Sequence, residues 1–357
     1  MNKQRNYGCR ITECSIQGYK VVVLENSSLR ISVLVGMGAG IFELLYKPTD
    51  TDFMYRDNLG FERLNGFIPT VRSDKGNYWD YNIGGWYELF PNSGGATEID
   101  GAQIGRHGEV ILVPWEYSII EDSQNEIRVK FTANTIRTPF MIERTISLNN
   151  MQSALFIEEK LTNKGKTDMP FLWGHHVTFG NAFINQNCLI RIPEGKIYNN
   201  PAYIPSASRL KSGAIGSLNK FPGKSGEYVD LSKIPPQNSK VAEMLFIDQL
   251  ENSWFTVADM EKGIGFALTW DEEMFDSLWF CEEFEASTGY PFYGNAYYLA
   301  LEPQVSKTPR LSNAIKDGSA KTIKAGQTLE TWLTAVVYQD IRNISDVKRS
   351  GELEFIE

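Results

Sequence analysis

The chain has 357 residues, with 35 Lys+Arg against 44 Asp+Glu for a net charge of −9, and hydrophobic residues make up 42% of it. That supplies a sizeable core for one large domain or two medium ones, and the average share of Gly and Pro excludes a disordered or collagen-like chain. The acidic balance without a Lys/Arg-rich run argues against nucleic acid as a partner, and no window approaches the about 18 apolar residues of a membrane span.

The basic start, Met1 to Tyr7, is not followed by an apolar h-region, so a cytoplasmic location is expected. From Tyr19 to Leu24 the chain is β-branched and apolar, Asn26-Ser27-Ser28 breaks it, and Leu29 to Val35 and Ile41 to Tyr46 follow as further strands. A clearer series comes next: Glu109 to Ile120, Glu126 to Ala133, Phe140 to Leu148 and Ala154 to Leu161, with short polar breaks between them. Within it, Ile127-Arg128-Val129-Lys130-Phe131 alternates apolar and charged, as a strand with one face in water should. Residues 192–240, rich in Pro, Ser, Gly, Asn and Lys, read as a long loop-rich excursion. Thr328 to Tyr338 is one more strand, entered from the turn at Lys324-Ala325-Gly326. Helical rhythm is weak throughout. No linker divides residues 1–357, so the expectation is an all-β, antiparallel sandwich or barrel in one domain.

Cys9, Cys14, Cys188 and Cys281 show no CxxC spacing and are expected as free thiols. With three histidines, a His-rich zinc site is not expected, and neither a metal nor another cofactor is assigned.

Chemistry concentrates in three patches. The first runs from Gly84 to Gly95 through Trp86, Tyr87 and Asn92, and is followed by Arg106-His107-Gly108-Glu109. The second is Trp173-Gly174-His175-His176-Val177-Thr178-Phe179-Gly180, and the third is Leu301-Glu302-Pro303-Gln304. All three histidines fall in these patches. Adjacent strand residues point to opposite faces, so only one of His175 and His176 can face a given site. Glu302 ends the apolar run Tyr297 to Leu301, where a carboxylate is costly to bury without a partner. One carboxylate with one or two imidazoles, and no phosphate-cradling GxxxxGK[ST] loop, is a minimal acid–base kit. Trp86, Trp173, Trp279 and Asn92 suit a sugar: flat rings cover its C–H faces and amides bond its hydroxyls.

The ordered set of H-G-E, W-G-H-H-x-x-F-G and L-E-P-Q resembles the aldose 1-epimerase (galactose mutarotase) superfamily, from about Gly84 to Ser306. The resemblance implies a large antiparallel β-supersandwich and cofactor-free interconversion of the α and β anomers of a free aldose. Carried over residue by residue, it implies Glu302 as the general base on the C1 hydroxyl. His176, in His176-Val177-Thr178-Phe179, becomes the acid on the ring oxygen, and His107 the second active-site histidine. Arg72 matches the family's substrate-binding arginine; Asp271 and Asp276 are candidates for its aspartate, and His175 remains a substrate-binding candidate beside His176. Such chemistry suits a Glu with a pKa nudged upward and a His titrating near neutrality.

The expected partner is a small-molecule sugar, with no nucleic acid and no membrane, for a monomer or homodimer. A non-catalytic carbohydrate-binding protein of the same fold is the alternative, as is an epimerase for a phosphorylated or otherwise derivatised sugar. The last requires several cations converging on the anion, and the motifs offer only Arg72, Lys75 and Arg106 nearby.

Overall fold

In a 12-stranded antiparallel sheet, the strand order runs Arg10–Ile16, Tyr19–Glu25, Leu29–Leu34, Gly40–Tyr46, Trp86–Leu89, Gly174–Gly180, Tyr297–Gln304, Ser277–Phe284, Val241–Asp248, Lys196–Tyr198 and Ile215–Gly216, with Thr51–Asp52 beside Gly40–Tyr46. The computed structural model describes residues 5, 7–57, 60–61, 76–339 and 343–356. A second, 8-stranded sheet has the order Cys188–Arg191, Trp254–Asp259, Ile264–Trp270, Thr328–Tyr338, Ala154–Asn163, Phe140–Asn149, Glu126–Asn134 and Glu116–Asp122.

One hydrophobic core, from Val22 and Ile31 through Phe131 and Phe179 to Leu301 and Leu333, lies between the sheets. The alternation in Glu126–Asn134 puts Ile127, Val129, Phe131 and Ala133 inward and the charged residues toward water. Ile264–Trp270 is buried throughout, because Ala154, Trp254, Val336, Ile344 and Val347 form a second apolar layer that includes its Ala267. Such continuous burial explains its near-continuous apolar sequence.

The strands expected at Tyr19, Leu29, Ile41, Glu126, Phe140, Ala154 and Thr328 are present within a residue or two at their ends. The one expected from Glu109 begins only at Glu116. Its first residues are held in turns, because the Glu109 carboxylate accepts from Ile136 N at 3.0 Å, Arg137 N at 2.7 Å and Thr138 Oγ1 at 2.8 Å. Two short helices, Gly76–Tyr81 and Leu311–Asp317, are present where no helical rhythm was evident. The excursion carries only short strands and the 3-10 turn Pro201–Tyr203. All four cysteines are free thiols, and no helix among the described residues is long and apolar enough to cross a membrane.

Candidate functional site

Antiparallel register puts five side chains in one rank across the larger sheet. Tyr87 pairs with His176, Glu302 with Trp279, and Trp279 with Phe246. The pairs Gly174 with Gln304 and Val177 with Leu301 bring His176 opposite Glu302. Directly opposed residues project from the same face. Four of the five, Tyr87, His176, Glu302 and Trp279, line a cleft of about 320 Å³.

Within the cleft, His176 Nε2 stands 3.5 Å from Glu302 Oε1, just beyond an ordinary hydrogen bond. The other imidazole nitrogen, Nδ1, is 2.7 Å from Thr178 Oγ1, and the ring stacks on Tyr87 at 4.7 Å and 16°. Gln304 Nε2 donates to Glu302 Oε2 at 3.2 Å. Burial pushes the Glu302 carboxyl up to about 8, with the Gln304 amide partly opposing it. Burial also pushes the His176 imidazole down to about 3. The upward shift expected for the glutamate is therefore present, but a histidine titrating near neutrality is not: desolvation disfavours the imidazolium. Near pH 7 the resting pair holds one proton, on the carboxyl.

His107 enters from a loop. Its backbone is left-handed at φ 60°, its N–H donates to Gly94 O at 2.9 Å, and its Nδ1–H donates to the Ser93 carbonyl. Gly108 follows at φ 86°, and a Cβ there would lie 2.0 Å from Phe90 O, so the second residue of His-Gly-Glu has to be glycine. With Nδ1–H spent on Ser93, Nε2 of the neutral ring is an acceptor. Burial, then the Arg106 charge, then His176 hold His107 well below the usual histidine range. Its ring lies 5.9 Å from that of His176 and 4.3 Å from that of Tyr78. The Tyr78 and Tyr87 hydroxyls are 2.5 Å apart, and Asn82 Nδ2 donates to both. The tyrosine pair thus links the two histidines.

Glu302, His176, His107 and Trp279 therefore share one cleft. Trp279 Nε1–H donates to Ser306 O at 2.9 Å, which fixes the indole in the wall. Other candidates lie elsewhere. His175 is fully buried on the opposite sheet face, with Nε2 3.0 Å from Glu159 Oε2 and Nδ1 accepting from Trp86 Nε1. It cannot touch a ligand in the cleft. Trp86 and Trp173 are core residues of the same network, the second donating to Glu88 Oε2 at 3.1 Å. Asn92 is also fully buried: Nδ2 donates to Gly94, Gly95 and Gly105 carbonyls, and Oδ1 accepts from Leu311 N. Its amide is consumed in tying three loops together and has nothing to offer a sugar.

Asp271 borders a separate groove over the smaller sheet, alongside Lys160, Glu330 and Trp332, and Asp276 does not line the cleft. Arg72 lies outside the described residues. Tyr78, Tyr87, Tyr298, Tyr203 and Arg310 are lining residues that the motifs did not single out. Tyr87 could have been found, since it sits inside the first patch; Tyr203 and Arg310 carry no local signal. The excursion supplies a cleft wall through Tyr203, whose ring packs 5.8 Å from that of Phe246.

The architecture is shared with solved structures. A galactose mutarotase-like protein from Clostridium acetobutylicum superposes with a TM-score of 0.65 at 14% identity, over 93% of this chain and 99% of that one. The Slr1438 protein of Synechocystis gives 0.61 at 18%, over 95% and 100%. A galactose mutarotase-like protein from Lactobacillus casei gives 0.57 at 14%, over 89% and 100%. The fold is accordingly the antiparallel galactose mutarotase-like β-supersandwich. Identities this low carry the fold and not the reaction. No curated protein matches the chain. The family described as "Domain of unknown function (DUF4432)" matches residues 16–337, and the chain belongs to that family.

Proposed function

We propose that the protein is a mutarotase-like aldose 1-epimerase in which Glu302 and His176 act as a one-proton acid–base pair. The observation that carries this reading is the 3.5 Å approach of His176 Nε2 to Glu302 Oε1 on the sheet face lining the cleft. Ring opening needs a proton taken from the C1 hydroxyl and one delivered to the ring oxygen, two oxygens bonded to the same carbon. Two titratable groups in contact can serve both positions of one sugar.

In the resting cleft Glu302 keeps the proton and His176 is neutral. Passing that proton to His176 creates the carboxylate and imidazolium required by the motif-derived roles. The carboxylate then takes the C1 hydroxyl proton, the imidazolium protonates the ring oxygen, and the bond from C1 to that oxygen breaks. Rotation about C1–C2 and reclosure with the roles reversed give the other anomer. His107, with Nε2 as acceptor, receives a sugar hydroxyl beside the reacting centre, and the Trp279 ring offers an apolar face to the sugar C–H surface.

Anomer exchange followed by NMR or polarimetry tests the reading. Glu302→Gln or His176→Asn is expected to lower the catalysed rate by about 10²–10⁴-fold, the usual worth of general acid–base catalysis, in protein that remains folded. Unchanged exchange in both variants rejects the mechanism. Saturable sugar binding with no catalysed exchange in the unaltered protein favours the binding-protein alternative.

A further inference from the structure

Thr178 follows His176 by two residues on one strand, so alternation puts both side chains on the cleft face. Its backbone is held from both sides: Thr178 N donates to Gly85 O at 3.3 Å, and Thr178 O accepts from Tyr55 N at 2.8 Å. The residue is 2% exposed, and its hydroxyl oxygen lies 2.7 Å from His176 Nδ1. A hydroxyl can accept from an N–H or donate to a bare nitrogen, so this contact alone fits either neutral tautomer of the ring.

The far end of the pair decides between them. Gln304 Nε2 donates to Glu302 Oε2 at 3.2 Å. The carbonyl oxygen of a neutral carboxyl is its better acceptor, so Oε2 is that oxygen and the proton sits on Oε1. Oε1 is also the oxygen that faces His176 Nε2, at 3.5 Å. An O–H and an N–H aimed at each other repel, so Nε2 is bare and Nδ1 carries the ring proton. The backbone carbonyl of His176 agrees: it also hydrogen-bonds the imidazole, and a carbonyl can only accept. Thr178 Oγ1 therefore accepts from Nδ1–H. Once Glu302 passes its proton to Nε2 the ring is a cation, and the same contact becomes a charge-assisted hydrogen bond.

We infer that Thr178 is a positioning residue that holds His176 as the Nδ1–H tautomer and so aims a bare Nε2 at the Glu302 proton, a role that rests on the one-proton mutarotase reading above. In the transfer the Oε1–H bond breaks as the Nε2–H bond forms, while Nδ1 keeps its proton directed at Thr178.

Long-range proton–nitrogen correlation NMR on histidine-labelled protein near pH 7 reads the tautomer. His175, whose Nδ1 accepts from Trp86, is the internal reference for the Nε2–H form, and His176→Asn identifies the His176 signals. The Nδ1–H form is expected for His176 in the unaltered protein, and the Nε2–H form there overturns the inference. Thr178→Val is expected to raise the Nε2–H population. It should also lower kcat by about 10–100-fold, the worth of a hydrogen bond to a charged group, with KM changed by less than about threefold. Thr178→Ser keeps the hydroxyl and is expected to restore both the tautomer and the rate. Equal losses in the two variants, or a tautomer unchanged in Thr178→Val, overturn the inference. If no sugar exchanges in the unaltered protein, the mutarotase reading fails. The tautomer of His176 in the unaltered protein, Thr178→Val and Thr178→Ser then still decides what the hydroxyl does.

Discussion

His175 and His176 are consecutive on one strand and serve opposite sides of the same sheet: His175 Nε2 meets Glu159 at 3.0 Å in the core, and His176 Nε2 meets Glu302 at 3.5 Å in the cleft. The sharp division follows from strand alternation. His175→Ala leaves the Glu159 carboxyl and the Trp86 indole N–H without their imidazole partner in the interior. The expected cost is roughly 2–5 kcal/mol of stability, measured by urea unfolding. A loss under about 0.5 kcal/mol would remove His175 from the framework of the fold.

The pair in the cleft predicts an uncommon pH profile. Glu302 is raised to about 8 and His176 lowered to about 3, so the one-proton form spans the interval between those values. Below it both groups are protonated, and above it both are bare. Exchange rates are expected to stay level from about pH 5 to 7 and to fall about tenfold per unit well above pH 8. A rate that instead climbs through pH 8 would mark Glu302 as a lone ionised base, without proton delivery from its partner.

Tyr87 fixes the plane of the His176 imidazole by stacking on it at 16°. Tyr87→Leu removes the stacked face, and such a contact is worth about 0.5–1.5 kcal/mol, so a drop in kcat of up to about tenfold is expected. Tyr87→Phe keeps the ring while losing the hydroxyl contacts to Tyr78 and Asn82. It should restore most of the rate. Equal losses in the two variants would place the effect in the hydroxyl network rather than the stack.

The same carboxyl has a consequence for stability. A Glu302 pKa raised in the folded state contributes stability that is complete below the unfolded value near 4.5 and lost as pH rises through about 8. Between about pH 6.5 and 8 unperturbed histidines have already lost their protons in the unfolded chain, and the depressed imidazoles of the folded protein are neutral as well. In that window the glutamate's effect is not masked by them. Glu302→Gln, which stays uncharged, should flatten the fall in Tm from pH 6.5 to 8.5, and should be the more stable protein at the upper end by a few kcal/mol at most. Parallel Tm curves for the two proteins would show that the carboxyl is not held protonated.

Much of the architecture is readable from the amino-acid order, because strand alternation and turn chemistry are local. Ile127 to Ala133 declares its inner face, and Lys324-Ala325-Gly326 announces the last long strand, with Gly326 at φ 71°. The start at Glu109 misleads because its apolar residues are buried in turns anchored by a carboxylate, and hydrophobicity alone does not tell a buried turn from a strand. Asn92 and His175 misled in a related way. Both have the chemistry of a binding residue, yet the fold spends all of it inside.

What the order of residues determined by itself is the set of strands and the three patches that contain Glu302, His176 and His107. What only the tertiary structure decided is which members of those patches face one another. Register between strands far apart in the chain brought Tyr87, His176 and Glu302 into one rank, which Trp279 extends from the strand preceding that of Glu302, and the single buried Asn92 amide ties the Gly94-Gly95, Gly105 and Leu311 backbone together. The reason is physical: alternation and turns are set by neighbours in the chain, whereas pairing between distant strands is set by how two whole sheets bury their apolar faces together.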